Sequence, residues 1–452
     1  MEPTRFYNWL RQGVGIGFPL IASFVLLAGV SQAQVTFADD VAPIIQQNCQ
    51  ECHRPGSIGP MPLLTYEQVR RFAPLIKQRV SNLIMPPWHI DRTVGIQDFK
   101  NDISLSDEEI ETIVRWVDAG APLGDPAAMP APRKFEALSD VWQFESRFGR
   151  PPDLVIQNPP FKLHAKGLDQ WPKLEAPLEG LDEERYMFAI EAQPATPESR
   201  YVFHHGGPSL DQDGERTGLM NSPAGKVGEI LPADSGKLVK PGATIRYSLH
   251  LFPIGQEVDV TMNWGLWFYP KGEKPKYETR GEIQVASHHG PDFGTGTLRA
   301  HELLMPPNST QMLQGTRVLD KPWRIHSIRA HMHLRGKYQT LEAIYPDGRR
   351  EILNKINFQH RWHTTFTYDD WARPLLPKGT VLITTTWFDN TAESTSNPDP
   401  NQWVTYGQRT VDDMAHMWVG MTEIPDEDFE VMVAERERLL HDRQQLVTSQ
   451  EQ

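Results

Sequence analysis

Residues 237–252 read KLVKPGATIRYSLHLF. Apolar and polar side chains alternate on either side of a Pro-Gly pair, the period-two pattern of half-buried strands broken by a turn. The same pattern recurs from about Phe135 to Ile424 in DLVIQ, YMFAIEA, VDVTMNWGLWFYP, TLEAIYP and TVLITTTWF, each punctuated by Gly, Pro, Asn or Asp. These runs predict an all-β region of roughly 290 residues, a length that suits two sandwiches better than one.

Upstream, from Val35 to about Pro132, the pattern is helical. A short helix leads into Cys49, Tyr66 to Ile84 carries periodic apolar residues with a kink expected at Pro74, and Ser106 to Ala119 forms a third helix. Ser106 followed by Glu109 is a capping-box signature, and Gly120 stops that helix. AAMPAPRKF then reads as a linker. At the other end, Asp426 to Leu446 is a charged amphipathic helix. The expected architecture is therefore multidomain: an all-α domain over 34–132, two all-β sandwich domains over 133–300 and 301–425, and a C-terminal helix within 426–452.

The formal net charge of -13 gives no reason to expect nucleic-acid binding. Arg5 and Arg11 precede an apolar stretch from about Val14 to Val30 and then Ser31-Gln32-Ala33, so residues 1–33 read as a cleavable signal peptide and the mature chain is expected to begin at Gln34. The alternative is an uncleaved anchor, because the apolar run approaches the roughly 20 residues needed to span a bilayer. With the signal cleaved, no stable membrane insertion is expected. An exported chain meets an oxidising compartment, yet Cys49 and Cys52 are the only cysteines.

Both lie in CQECH, Cys49 to His53. Two thiols three residues apart, with His53 directly after, form the attachment site of one covalent haem c, the thiols making thioethers and the imidazole reaching the iron. A soft thioether on the opposite face would suit electron transfer. Met61 lies only eight residues past His53, too close to wrap the porphyrin edge, whereas Met85 in IMPPWH lies 32 away. Met85 is the preferred ligand and His89 its rival.

The β region offers His204-His205 in YVFHHGG, His250 in YSLHLF, and His331-x-His333 in RAHMHLRGK. Residues i and i+2 of a strand share a face, so His331 and His333 can grip one metal without distorting the backbone. Adjacent His204 and His205 point to opposite faces of a flat strand and can serve one ion only at a bulge or turn, which Gly206-Gly207 would permit. His288-His289 sits in a Gly-rich stretch that reads as a loop. His301, His326, His360 and His363 carry no assignment.

VFHH, LVKPGATIRYSLHLFPIG, LMPPNST, HMHLRGK, PKGTVLITTTWFDN and YGQRTVDDM occur in that order between about Pro152 and Ile424. Together they resemble the copper type II, ascorbate-dependent monooxygenases, the class of dopamine beta-monooxygenase and peptidylglycine alpha-hydroxylating monooxygenase. The resemblance implies two jelly-roll-like sandwiches and two copper ions, one on His204, His205 and His250, the other on His331, His333 and Met414. Met414 ends DDM, matching the family's acidic-acidic-Met signature, with Met417 and Met421 as near rivals. Arg329 matches an arginine that positions the substrate carboxylate in the peptide-acting member.

The chain departs from the family in lacking disulfides, in having Gly206 after the His pair where a bulky apolar residue is common, and in carrying His416 and Trp418 after Met414 where polar and tyrosyl helpers are expected. CHRPGSIGPMPLLTYEQ, IMPPWH and LSDEEIETIVRWVDAGAPLGDP resemble the cytochrome c module fused ahead of such copper domains in bacteria, which points to a Gram-negative periplasm.

What the resemblance implies is an oxidoreductase that hydroxylates an activated C–H bond of a small organic substrate with O2. His331, His333 and Met414 would carry the oxygen chemistry. Ascorbate, or the fused haem fed by a periplasmic donor, would supply electrons. The competing reading is a haem and copper electron-transfer protein without hydroxylase activity.

Overall fold

The computed structural model describes residues 34–135, 141–222, 226–279, 282–286 and 303–450. The signal-peptide expectation for 1–33, the His288-His289 pair and His301 lie outside these residues.

Strands dominate: 37% of the chain is strand and 19% helix. This overturns the expected fold class, an all-α cytochrome domain followed by two jelly-roll-like sandwiches and a helix. Among the described residues there are six sheets of two to six strands, and no all-α domain precedes them. Helices do occur early, at Ala42–Asn48, Tyr66–Arg71, Ala73–Ser81 and Asp107–Asp118. However, the same stretch of chain also supplies a strand, Ile90–Gly95, that pairs antiparallel with Arg350–Asn357. Trp88, Ile90 and Phe99 are buried in the same core as Ile328, Leu341 and Phe366. Residues Val35–Gln452 accordingly form one unit. The strand IDRTVG is six residues long and its partner lies some 260 residues on, a pairing that local periodicity cannot register.

The early helices follow their local signals. Ser106 and Glu109 form a reciprocal capping box at Asp107–Asp118, and Thr65 with Gln68 does the same at Tyr66–Arg71. The kink expected at Pro74 is a break at Phe72 between two helices, with Pro74 in the first turn of the second, where its missing N–H costs nothing. Val41, Ile45, Val69, Ile113 and Trp116 form the small core between these helices.

Two larger cores lie among the sheets. One joins the four-stranded sheet that holds Phe203–Gln212 and Thr244–Leu251 to the six-stranded sheet that holds Arg185–Pro194 and Met262–Phe268, around Val202, Tyr247, Trp264 and Leu266. The other joins two five-stranded sheets, one holding Trp323–His331 and His416–Glu423, the other Gly336–Ile344 and Val381–Asp389. The C-terminal helix runs Asp426–Gln450, and its Phe429 packs with Tyr277 and Ile424. Among the described residues no helix is long and apolar enough to cross a membrane.

Candidate metal centre

Phe203–Gln212 and Thr244–Leu251 are antiparallel neighbours. His205 stands opposite His250, but Leu251 stands opposite Phe203, so His204 is an extra residue in its strand. That bulge turns the two adjacent rings to one side. Their centroids are 5.0 Å apart, and His250 lies 5.1 Å from His204 and 4.9 Å from His205. Ligand atoms of all three lie within 4.8 Å of one another. Gly206 makes the bulge possible. Its φ is +137°, and a Cβ there would sit 2.1 Å from the Ser248 carbonyl oxygen. The departure from a bulky residue at this position therefore has a local cause.

Asp169 orients His250. Its carboxylate accepts a hydrogen bond from His250 Nε2 at 3.0 Å and another from the Thr410 hydroxyl. With the proton on Nε2, the Nδ1 lone pair faces inward, 3.1 Å from His205 Nε2. Trp171 stacks on the same ring at 4.3 Å.

The second group stands at the end of Trp323–His331. His331 pairs across the sheet with His416 and stacks on it at 4.6 Å. His333 lies two residues on, just past the strand, with its ring 5.4 Å from that of His331, while Met332 between them is buried in the core. His333 Nδ1 donates to the Asp412 carbonyl at 3.3 Å, which leaves Nε2 to a ligand.

Asp413 ties the group together. Its buried carboxylate accepts from the backbone N–H of His333 at 2.7 Å, of Arg335 at 3.1 Å and of Met414 at 2.9 Å. The second acid of DDM thus fixes Met414 beside the His-x-His segment. Burial pushes Asp413 up to about 7, against the three amide donors that favour its charge. Met417 and Met421 are core residues of the sheet, whereas Met414 lines a cavity.

Two histidines that the sequence left unassigned join the cluster. His360 and His363 come from the segment between Arg350–Asn357 and Phe366–Thr367. His363 Nδ1 is 3.1 Å from His331 Nδ1, and its ring lies 5.4 Å from both His204 and His205. His360 lies 5.6 Å from His204 and 6.1 Å from His333. Residues in an irregular segment carry no periodicity to orient them, so HRWH offered only its density of histidine as a signal. The groups expected to be two separate sites are in contact: His205 and His331 are 5.6 Å apart, and ligand atoms of His205, His331 and His363 also lie within 4.8 Å of one another. His326 lies elsewhere, beside Ser327.

Five of the rings, those of His205, His250, His331, His333 and His416, line a cavity of about 400 Å³ together with Trp171, Arg329, Tyr406, Met414 and Trp418. Arg329 is buried, bonded to Glu282 at 2.8 Å and placed over the Trp418 ring. Its charge is already partnered there, which weakens it as a carboxylate clamp. Burial, and then the neighbouring imidazoles, hold His204 down to about 3 and His333 and His360 down to about 4. His205, His331 and His363 are depressed well below the ordinary histidine range for the same reasons. All are neutral at pH 7, the protonation state a metal requires.

At CQECH the backbone turns so that the N–H groups of Cys52 and His53 both reach the Cys49 carbonyl. The two thiols are not joined, and burial pushes Cys49 up to about 12. His53 Nδ1 donates to the Met61 carbonyl at 3.1 Å, which leaves Nε2 as the nitrogen able to take a ligand and places Met61 on the His53 flank. Met85 is half-buried, and His89 is buried with Ile356, Phe358 and Phe366 around it.

No protein-family model matches the chain, and no curated protein matches it. Among solved structures it is similar to recombinant N-glycanase F (PNGase F), at 7% identity over 60% of this chain and 95% of that one, with a TM-score of 0.27. A Paenibacillus xanthan lyase aligns at 12% identity over 68% of this chain and 28% of that one, with a TM-score of 0.16. PBSX exported protein XepA aligns at 10% identity over 58% and 92%, with a TM-score of 0.15. Likenesses this slight carry no argument about fold or function.

Proposed function

We propose that the chain is a copper-dependent monooxygenase that hydroxylates an activated C–H bond, with a c-type haem as its electron inlet. One observation carries this reading. Histidines from strands and loops far apart in sequence, together with Met414, converge on a single cavity large enough for a small organic molecule. The donor set fits copper: imidazoles for both oxidation states and a thioether that favours Cu(I). His204, His205 and His250 would hold one ion and His331, His333 and Met414 the other, which accords with the motif resemblance. Copper so bound would activate O2, one oxygen atom entering the C–H bond and the other leaving as water with two electrons and two protons from the donor.

The chain's own groups do the rest. Asp169 and the Asp412 carbonyl hold His250 and His333 in the tautomers that present a lone pair to the cavity. Asp413 keeps Met414 beside His333. Trp171, Tyr406 and Trp418 give the substrate an aromatic wall, and the Arg329–Glu282 pair offers it one polar, net neutral contact.

Two contacts support the haem as inlet. Arg200, four residues before His204, donates to the Gly56 carbonyl beside CQECH. Thr364, next to His363, donates to the Pro87 carbonyl at 3.2 Å, two residues past Met85. Ascorbate would serve as an alternative reductant. The test is O2 consumption coupled to hydroxylated product across a substrate panel, for the wild type and for Met414→Ile. The reading expects coupled turnover that Met414→Ile abolishes; equal O2 uptake by both proteins with no product would leave the electron-transfer reading in its place.

A further inference from the structure

We propose that His363 is a metal ligand and that His205, His331 and His363 form a third metal position, between the two sets named above. The inference rests on the copper reading and extends it to a residue that the family's ligand pattern does not include. Three observations carry it.

The first is geometric. Ligand atoms of these three residues lie as close together as those of His204, His205 and His250, within 4.8 Å of one another, and no other described histidine, cysteine or acid group does so. The second is hydrogen bonding. A neutral imidazole has one donor and one acceptor. The 3.1 Å contact between the Nδ1 atoms of His331 and His363 uses one nitrogen of each ring, whereas His363 Nε2 is buried without a partner. Among the described residues no carboxylate is hydrogen-bonded to any of the three, in contrast to His250, which Asp169 satisfies. Without an ion these rings are linked by N–H···N contacts, His331 to His363 and His205 to His250; a cation would replace such contacts, the ring protons moving to the outer nitrogens so that each inner nitrogen offers its lone pair.

The third is that the segment carrying His363 is held in place. Phe358 N–H donates to the Lys337 carbonyl, the Phe358 ring lies 5.4 Å from His363, and Thr364 is tied to Pro87. The imidazole is therefore presented to the cluster by a fixed backbone. An ion here takes one histidine from each outer set, so this position and full occupancy of both outer sets exclude one another, and it is open to an ion only while copper is scarce.

Crystals of the unmodified full chain, equilibrated with less than one equivalent of Cu(II), would be measured at the copper absorption edge. A single anomalous peak at ordinary metal–imidazole distance, about 2.0–2.1 Å, from one nitrogen each of His205, His331 and His363 is expected. In solution, His363→Asn is expected to bind the first equivalent of Cu(II) at least tenfold more weakly than wild type, with fewer histidine nitrogens in its electron paramagnetic resonance spectrum. Peaks confined to the outer sets, or wild-type affinity in His363→Asn, overturn the third position and leave the copper reading standing. Binding of no copper anywhere in the crystal overturns both.

Discussion

Asp413 and Asp169 each hold part of the histidine cluster in place through hydrogen bonds. Asp413 satisfies three backbone amides, and removing it strands them in a buried setting where each unmet donor costs about 1–3 kcal/mol. Asp413→Ala is therefore expected to lower stability by about 3 kcal/mol or more and to release Met414 from His333. Denaturant unfolding and copper titration would check it, with loss of the Met-containing site and retention of the other as the expected pattern. Asp169 acts on the opposite set by fixing the His250 tautomer. Asp169→Ala is expected to weaken copper at that set by about 10–100-fold, and unchanged affinity would remove the orienting role.

The cluster also makes a pH prediction with a definite sign. His204, His333 and His360 sit at about 3 or 4 in the folded protein against an ordinary 6.5. As pH falls below about 6.5 the unfolded chain takes up protons that the native one refuses, so stability is lost with falling pH down to about 3–4. The melting temperature of the metal-free protein should drop between pH 7 and pH 5, and saturating copper should offset the drop. A flat profile would mean that the rings are not packed as described.

At the scale of elements, the bulge at His204 is the device that makes an adjacent pair useful, and Gly206 is its condition. Gly206→Ala puts a Cβ 2.1 Å from a backbone oxygen at φ +137°, at an expected cost of about 2–4 kcal/mol and with His204 and His205 driven apart. Thermal unfolding and copper content would report both effects.

The need for such a bulge could be read from the sequence, because adjacent strand residues diverge and glycines follow. The strand Thr244–Leu251 and the helix capped by Ser106 were equally legible, since alternation and capping are local. Other features had no local signature. Ile90–Gly95 belongs to a sheet whose partner strand lies far downstream, and reading it as part of an all-α domain followed from judging each stretch by its neighbours. Asp169, Asp413, His360 and His363 likewise take their roles from contacts that only the closed fold creates.

Across the whole molecule, the haem-motif segment is built onto the body that carries the cluster. The strand Ile90–Gly95 and the contacts of Arg200 and Thr364 bind it there. Electron delivery from haem to copper is then expected to be intramolecular: reduced haem should be reoxidised on O2 addition only after copper loading, at a rate independent of protein concentration. Cofactor content of the purified protein tests the haem and copper assignments together, with haem determined by its absorbance and copper by elemental analysis. One haem and two coppers per chain are expected. Zinc in place of copper, or no copper at all, would contradict the copper assignment.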